Sequence, residues 1–487
     1  MTVEPEKAFK NVNNRRAKDD SMLRFWRSLA RYERVLIILF ALTVPFVHAQ
    51  VSGDGIGYYA YARSLLIDHN LQFAGDWNDP KNELLYVYLD GHIIPNPITK
   101  TGHLPNYWSV GPAMMWTPFL VAAHWTVLGL DGLGWHIPAD GHSWPYLVAM
   151  AGATTLYGFA GLFLSYRLAR RYVEERWAFM AILGIWLGTS LPAYIYVQPS
   201  LSHAHSAFCS SLFFWYWLRT GSSRTKRQWM ILGLISGLMI DVRFDSIVLL
   251  LAPFLESLSA YAVAWRARQT APDLLRRLSY SNALSAIGVL VAFLPTLITR
   301  QIIFGNPFRF GMYTSQPWNW TSPAFVAVLF STSHGLLVFA PILALALIGL
   351  FLLCRSEYPE AKIYLTVTLA FYCLISFFPW WHSTPGLGNR YFISLTPLFV
   401  IGVAVTFSDA VRIWGDVRAA TWRLGTITAL LVAWNLGLVY QWSTLLLSNR
   451  TEVHWDEVLY NQFRVVPGQL LKDLGERFLP ERTTKVH

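Results

Sequence analysis

The chain has 487 residues, of which 54% are hydrophobic and 14% are charged. Soluble domains carry about 25% charged residues, so this composition excludes a water-soluble protein of this length. The net charge of +10 would suggest nucleic-acid binding in a soluble protein. Here it is better explained by basic loops that orient membrane helices, and the expected partner is the lipid bilayer, with no nucleic acid.

The first 34 residues are polar and contain nine Lys and Arg residues. The segment is too long and too mixed in charge for a typical secretory signal. It is therefore predicted to be a cytoplasmic basic N-terminus, followed by a polytopic membrane domain over 35–447.

A membrane-spanning helix needs about 20 mostly apolar residues. The candidate runs are 35–50, 145–168, 176–198, 203–219, 228–258, 281–304, 334–354, 362–379, 390–408 and 423–447. The long run 228–258 carries Asp241, Arg243 and Asp245 at its middle, which favours two short spans that meet at a charged turn. The sequence thus predicts an all-α integral membrane protein with about 11 transmembrane helices, within a range of about 10 to 13.

A further apolar run, 109–130, decides the topology. If it does not cross, the cytoplasmic segments hold 26 of the 39 Lys and Arg residues, as the positive-inside rule requires. Pro112 and Pro118 also favour an interrupted helix. The run is therefore predicted to be a re-entrant or surface-lying helix in a large first outer loop, 51–144. Residues 448–487 are predicted to form an amphipathic outer tail.

The outer segments concentrate His, Trp, Tyr and Asn, which indicates that function lies on the outer face. The first cluster is the Gly-rich segment 53–59 around Asp54. Asp54 is interpreted either as the N-cap of an interfacial helix or as a general base at the membrane boundary, and both can hold. Tyr58 and Tyr59 continue the segment.

Two further outer segments contain basic or imidazole side chains. Lys100 and His103 precede Tyr107 in a loop poor in cations, which fits either a polar surface loop or an anion or sugar contact. His203 and His205 stand two residues apart, so they do not share a helix face as a metal pair would. Zinc is not supported, because no third ligand has recognisable spacing.

Two arginines stand in outer positions that favour an anion. Arg243 is flanked by acidic residues at membrane depth, which indicates either a functional charge or an internal ion pair. Arg390 follows Gly388-Asn389 and opens a span, so its guanidinium and the helix N-terminal amides favour a phosphate. Trp381 and His382 lie just before this motif and fit either sugar stacking or the interfacial aromatic belt.

The order of these features resembles the GT-C superfamily of membrane glycosyltransferases from about residue 30 to 447. The features are an acid after the first span (Asp54), a long outer loop with an aromatic, Pro-containing helix (108–118), and a late Gly-x-Arg-Tyr motif (388–391). Asp54 is followed by Gly55, whereas the family often has an Asp-Glu pair, so the donor sugar stays open.

The resemblance implies transfer of a hexose or pentose from a polyprenyl-phosphate donor to a glycan, lipid or protein acceptor on the periplasmic face of a bacterial inner membrane. It implies Asp54 as the general base of an inverting displacement, and Arg390 with Lys100 or Arg243 on the donor phosphate. No cofactor is expected; a divalent metal is compatible but not indicated, since no Asp-x-Asp occurs. The predicted sugar or acceptor pocket contains Tyr58, Tyr59, His103, Tyr107, His203, His205, Asn389, Tyr391, Trp381 and His382.

Two other functions compete with this hypothesis. A transporter or flippase of lipid-linked sugars would explain the spans, but it predicts inverted repeats that the sequence does not show. An O-antigen ligase or polymerase would use a diphosphate donor. That chemistry would favour more outer arginines than Arg63, Arg243, Arg300, Arg309 and Arg390.

Overall fold

The computed structural model describes residues 26–77, 86–89, 92–95, 98–311, 317–382, 386–447 and 453–478. Most of the predicted cytoplasmic N-terminus, residues 1–25, lies outside this part. Helices dominate, which confirms the predicted all-α membrane class. One small addition is an antiparallel hairpin of β1 (Tyr86–Leu89) and β2 (His92–Pro95), in which Tyr86 lies opposite Pro95.

The chain divides into two compact units, Met1–Phe46 and Val47–His487. The described part of the first unit contains helix α1 (Arg31–Thr43) and a 3-10 turn over Val44–Phe46. The helix begins with the Ala30 amide donating to the Glu33 carboxylate at 3.0 Å. This bond satisfies one of the amide donors that a helix start leaves without an intrahelical partner.

The second unit holds all the other helices described below. They are α2 (Asp54–Arg63), α3 (Ala74–Trp77), α4 (Gly111–Asp131), α5 (Trp144–Ala169), α6 (Glu175–Leu187), α7 (His203–Thr220), α8 (Lys226–Val242), α9 (Leu251–Arg266), α10 (Asp273–Phe304), α11 (Phe325–Phe330), α12 (Leu336–Phe339), α13 (Ile342–Leu353), α14 (Glu360–Phe377), α15 (Thr396–Trp414), α16 (Val417–Ser443), α17 (Trp455–Tyr460) and α18 (Val466–Phe478). Their order follows the apolar runs of the sequence closely.

Seven helical segments of the described chain are long and apolar enough to cross a membrane. They are Gly111–Asp131, Trp144–Ala169, Phe244–Arg266, Asp273–Phe304, Glu360–Phe377, Arg390–Trp414 and Val417–Ser443. The protein is thus a multi-pass membrane protein. One of the seven, Gly111–Asp131, corresponds to the run predicted to be re-entrant or surface-lying, and that placement stays a prediction. Several predicted spans are helices that are shorter or less apolar, such as α6 and α13, so the count of about 11 also stays a prediction.

The prediction of an interrupted helix at Pro118 is wrong, because α4 is continuous over Gly111–Asp131. Pro112 lies in the first turn, where no intrahelical donor is needed. Pro118 removes one internal hydrogen bond, yet the helix continues because it packs along α5. Trp116 donates to Thr154 at 2.8 Å, and its ring is fully buried.

The predicted break within 228–258 is present. Helix α8 ends at Val242, and Arg243 takes an extended conformation at φ −150° and ψ 119°. A 3-10 segment, Phe244–Leu250, then leads into α9. The break turns the charged residues away from the helical course of α8, so the side chains of Arg243 and Asp245 meet at the turn.

The C-terminal segment packs on the end of α16. Trp455 donates from Nε1 to the Thr332 carbonyl at 2.8 Å and stacks on Trp434 with 6.1 Å between ring centroids. Tyr440 donates to Asp473 of α18 at 2.6 Å. Exposed Leu471 fits the predicted amphipathic tail, whose outer location stays a prediction.

Helix α15 lies at the centre of the unit and touches α13 backbone to backbone. A methyl group added at Gly402 would overlap the carbonyl of Ala346, and one added at Gly349 would overlap the carbonyl of Gly402. Small residues permit such close approach of membrane helices. This contact fixes the helix that follows Arg390.

Gly402→Ala is expected to destabilise the protein by about 1–3 kcal/mol, because the added methyl overpacks this contact. Gly425→Ala, on α16 where the added methyl meets open space, is the matched control and should stabilise by about 0.5–1 kcal/mol. Thermal unfolding in detergent measures both, and equal shifts would contradict the close contact.

Candidate active site

The carboxylate of Asp54 bonds to the guanidinium of Arg390. Arg390 Nη2 donates to Asp54 Oδ2 at 3.0 Å, across 336 residues of sequence. The side chain of Arg390 is 10% exposed, and that of Asp54 is 35% exposed. The pair therefore joins a nearly buried cation to a partly exposed carboxylate.

The interpretation of Asp54 as an N-cap is wrong. Gly53 is the N-cap, with φ 55° and ψ −137°, a conformation that glycine adopts at little cost. Asp54 is the first residue of α2, and its side chain accepts a hydrogen bond from Arg390. The glycine turn thus leaves the carboxylate available for Arg390.

The loop that carries Arg390 is closely packed. Arg390 begins a 3-10 turn, Arg390–Leu395, that leads directly into α15. A methyl group at Gly386 would overlap both Arg390 and Tyr194. The Leu387 amide donates to the Tyr194 hydroxyl at 2.9 Å. These contacts fix the loop that carries the guanidinium.

A second guanidinium, that of Arg243, belongs to the same cluster. It donates from Nε and Nη2 to Asp245, and its Nη1 lies 3.3 Å from His203 Nδ1. It also lies over the Tyr391 ring, 5.1 Å from the centroid. His203, Tyr391 and Arg243 therefore lie together, and the roles predicted for them stay predictions.

Tyr58 connects the two arginines. Ser202 donates to its hydroxyl at 3.2 Å, and Asp54, Arg243 and Arg390 all act on it electrostatically. Desolvation raises the pKa of the Tyr58 phenol above its ordinary value. Tyr58 is thus a neutral hydroxyl beside the Asp54–Arg390 pair.

Three of the predicted pocket residues pack elsewhere in the described structure. Tyr59 donates to the Gly141 carbonyl at 2.6 Å, on the opposite side of α2. The His205 ring packs at 5.1 Å from that of Trp116. Tyr107 stacks at 5.0 Å on Phe304, at the end of α10.

The loop with Lys100 and His103 also lies at the end of α10. Thr101 donates to the Ile303 carbonyl at 2.5 Å, and its hydroxyl lies 3.1 Å from His103 Nδ1. Lys100 itself is exposed. The structure therefore groups these two residues with α10, and their predicted roles stay predictions.

Asn389, Trp381 and His382 form a group next to Arg390. Asn389 Nδ2 donates to the Trp381 carbonyl at 3.1 Å. The His382 ring lies 5.8 Å from that of Trp381 and 6.4 Å from that of His334. Aromatic faces beside a cation of this kind suit a sugar ring.

Tyr194 and His334 are site neighbours that the sequence reasoning missed. His334 Nε2 lies 3.2 Å from the Gly386 carbonyl, next to Arg390. A histidine before a glycine between two apolar runs could have marked His334. Tyr194 lies inside an apolar run with no such signal.

Metal ligands were not expected at this site. Within the described residues, no group of three His, Cys, Asp or Glu side chains could hold a metal ion. The site chemistry visible here comes from the guanidinium groups of Arg243 and Arg390, the carboxylates of Asp54 and Asp245, and the tyrosine and histidine side chains around them.

Fold and site together define a multi-pass helical membrane protein with a carboxylate and two arginines in one polar cluster. No family model and no curated protein sequence matches the chain. The chain is similar to the solved structure of the Archaeoglobus fulgidus oligosaccharyltransferase tethered with an acceptor peptide, at 12% identity and a TM-score of 0.47. That match covers 92% of this chain and 59% of that one.

A second similar structure is ArnT from Cupriavidus metallidurans in the apo state. It has 15% identity and a TM-score of 0.46, over 91% of this chain and 76% of that one. The resemblance to the GT-C superfamily drawn from the sequence stays a prediction. The likeness at these identities concerns the fold alone.

Asp245→Asn is expected to lower the free energy of unfolding by about 3 kcal/mol, because it leaves the buried Arg243 charge without its carboxylate. The two side chains are 7% and 1% exposed. Asp409→Asn breaks a pair with Arg412, which is 81% exposed, and should cost at most about 1 kcal/mol. Thermal unfolding in detergent compares them, and a loss no larger for Asp245→Asn would contradict a buried, structural Arg243 pair.

Proposed function

We propose that the protein is a membrane glycosyltransferase that moves a hexose or pentose from a polyprenyl-phosphate donor to a glycan, lipid or protein acceptor. The observation that supports this most directly is the Asp54–Arg390 pair beside Arg243. It combines a candidate proton acceptor with two guanidinium groups. Transfer of a sugar from a lipid phosphate needs both kinds of group.

The two guanidinium groups suit the donor phosphate. Arginine presents several donors in a planar fork that matches phosphate oxygens. Negative charge grows on the phosphate as the glycosidic bond breaks, so fixed cations stabilise the transition state more than the ground state. Arg243 and Arg390 belong to one electrostatic cluster with Tyr58, and we therefore assign Arg243, in preference to Lys100, as the second phosphate contact.

An apolar groove supports a lipid-linked donor. It has a volume of about 550 Å³, and its walls come from the segment after Arg243 and from α14. Lining residues include Ile247, Leu251, Trp318 and Phe377. We propose that the isoprenoid chain of the donor lies in this groove, along the segment that follows Arg243 in the sequence.

Asp54 is proposed to be the general base. A phosphate that binds Arg390 competes with the Asp54 carboxylate for the same guanidinium, which leaves the carboxylate free to accept a proton. The acceptor hydroxyl oxygen then attacks the anomeric carbon, its proton passes to Asp54, and the bond to the phosphate oxygen breaks. The phosphate gains one negative charge as Asp54 loses one, and the displacement inverts the anomeric centre.

The proposed location is the inner membrane of a bacterium, with a cytoplasmic N-terminus and the site on the periplasmic face. The distribution of Lys and Arg along the sequence supports this orientation. The proposal includes no cofactor, because Arg243 and Arg390 supply the positive charge that the leaving phosphate requires.

Asp54→Asn is expected to abolish sugar transfer while the protein still accumulates and folds, because the amide cannot accept the proton. Mass spectrometry of cell-envelope glycans from a deletion strain carrying this variant measures transfer. Asp456→Asn in the C-terminal segment is the matched control and should restore the missing sugar. Normal glycans from the Asp54 variant would remove Asp54 from the reaction.

Arg390→Lys is expected to weaken binding of undecaprenyl phosphate by about tenfold or more, because a point charge replaces a fork. Arg412→Lys, at an exposed position on α15, should leave binding within about twofold. Titration of the purified protein in detergent measures both affinities. Wild-type affinity in the Arg390 variant would show that the phosphate binds elsewhere.

A further inference from the structure

Arg300 is a fully buried arginine that the proposed reaction does not use. It lies in the last turns of α10 and is 0% exposed. Its Nη2 donates to the carbonyls of Tyr107 and Trp108 at 2.8 and 2.6 Å, and its Nη1 to the Asn106 carbonyl and, at 3.1 Å, to the Tyr61 hydroxyl. One guanidinium therefore binds three successive backbone carbonyls.

These carbonyls belong to residues 106–110, which we call the strap. On one side the strap is fixed to α2, the helix that begins with Asp54. Asn106 Nδ2 donates to the Gly57 carbonyl at 2.9 Å, and the Tyr61 hydroxyl donates to the Asn106 carbonyl at 2.8 Å. The Trp108 ring packs so closely on Gly57 that an added methyl group would overlap it.

On its other side the strap is fixed to the end of α8, just before Arg243. Ser109 Oγ donates to the Val242 carbonyl at 3.1 Å. The Val110 amide donates to Thr296 Oγ1 at 3.4 Å, and Thr296 in turn donates to the buried carboxylate of Asp241. The strap thus connects the helix of Asp54 with the turn of Arg243.

The charge of Arg300 is costly where it lies. Within the described residues no carboxylate lies at ion-pair distance from it; its hydrogen bonds go to carbonyls and one phenol, and the buried Asp241 acts on it only electrostatically. Burying a charge is expensive, and ionisable groups at membrane depth usually have a function. The several donors of a guanidinium are well suited to binding three successive carbonyls.

We propose that Arg300 is a positioning residue, which holds the strap and so fixes the spacing between Asp54 and the phosphate-binding Arg243. The effect of Arg300 on catalysis rests on the proposed function. Whether Arg300 holds the strap can be tested independently of that function. Arg300 touches neither Asp54 nor Arg390, so its loss should move the base without removing a phosphate contact.

The test compares Arg300→Gln and Arg300→Lys with wild type. Arg276→Gln is the matched control, because Arg276 lies at the other end of α10, is 82% exposed and pairs with Asp273 at 3.0 Å, away from the strap. Gly57→Ala is a second perturbation, since its methyl pushes Trp108 away from α2 while Arg300 stays intact. Three measurements are made: hydrogen exchange of 54–63 and 104–110, binding of undecaprenyl phosphate, and sugar transfer in the complemented deletion strain.

In Arg300→Gln, exchange of 54–63 and 104–110 should rise by about tenfold or more, while exchange of 466–478 stays unchanged. Transfer should fall by about tenfold to a hundredfold, because small misplacements of a catalytic group cost that much. Binding of undecaprenyl phosphate should stay within about threefold, since Arg243 and Arg390 remain. The exchange and transfer rates of Arg300→Lys should lie between those of Arg300→Gln and wild type. Gly57→Ala should change both rates as Arg300→Gln does.

Unchanged hydrogen exchange of 54–63 and 104–110 in both Arg300→Gln and Gly57→Ala would contradict the proposal that Arg300 holds the strap in place. Loss of undecaprenyl phosphate binding in Arg300→Gln alone would make Arg300 a phosphate contact and would also overturn the positioning role. If the wild type neither binds undecaprenyl phosphate nor transfers sugar, the proposed function fails, while the exchange data still decide whether Arg300 holds the strap.

Discussion

The hydrogen bond between Asp54 and Arg390 is the interaction on which the site depends. It joins the start of α2 to the start of the span that continues into α15, 336 residues later. Both partners stand at helix starts, and both follow glycines that let the chain turn sharply, Gly53 and Gly388 at φ 55° and 57°. The bond therefore closes the polar cluster between two helices, each of which is fixed by its own packing.

Two other buried arginines, Arg243 and Arg300, differ in their partners. Arg243 pairs with the Asp245 carboxylate and lies over the Tyr391 ring, so its guanidinium is held in place. Part of that guanidinium faces the polar cluster. Arg300 has only carbonyl and phenol partners and holds the strap behind α2. In this account, one cation binds the substrate phosphate and the other sets where the base lies relative to it.

The sequence predicted the helices well, because apolar runs at membrane length leave few other structures. The run 145–168, for example, is the helix Trp144–Ala169. The sequence could not predict which side chains contact one another. Apolar residues occur all around each helix, so they do not indicate which face of the helix points toward the site. Of neighbouring pairs, Tyr58 faces the site while Tyr59 packs in the core, and His203 meets Arg243 while His205 packs on Trp116.

One error and one omission had physical causes. Pro118 suggested an interruption, but packing along α5 outweighs the loss of one hydrogen bond. Arg300 was counted only as an outer charge, because an arginine at the end of an apolar run normally orients a span and a linear sequence does not show which carbonyls it reaches. Long-range contacts of this kind, 192 to 194 residues apart in the sequence, become visible only in the folded chain.

In the proposed mechanism a lipid-borne phosphate binds at Arg390 and releases Asp54. A cryo-EM structure of the protein with undecaprenyl phosphate tests this directly. We expect phosphate density within hydrogen-bond distance of Arg390 and Arg243, with the Asp54 carboxylate turned away from Arg390. Phosphate density at Lys100 or at the basic loops of the opposite face, with the Asp54–Arg390 bond intact, would contradict it.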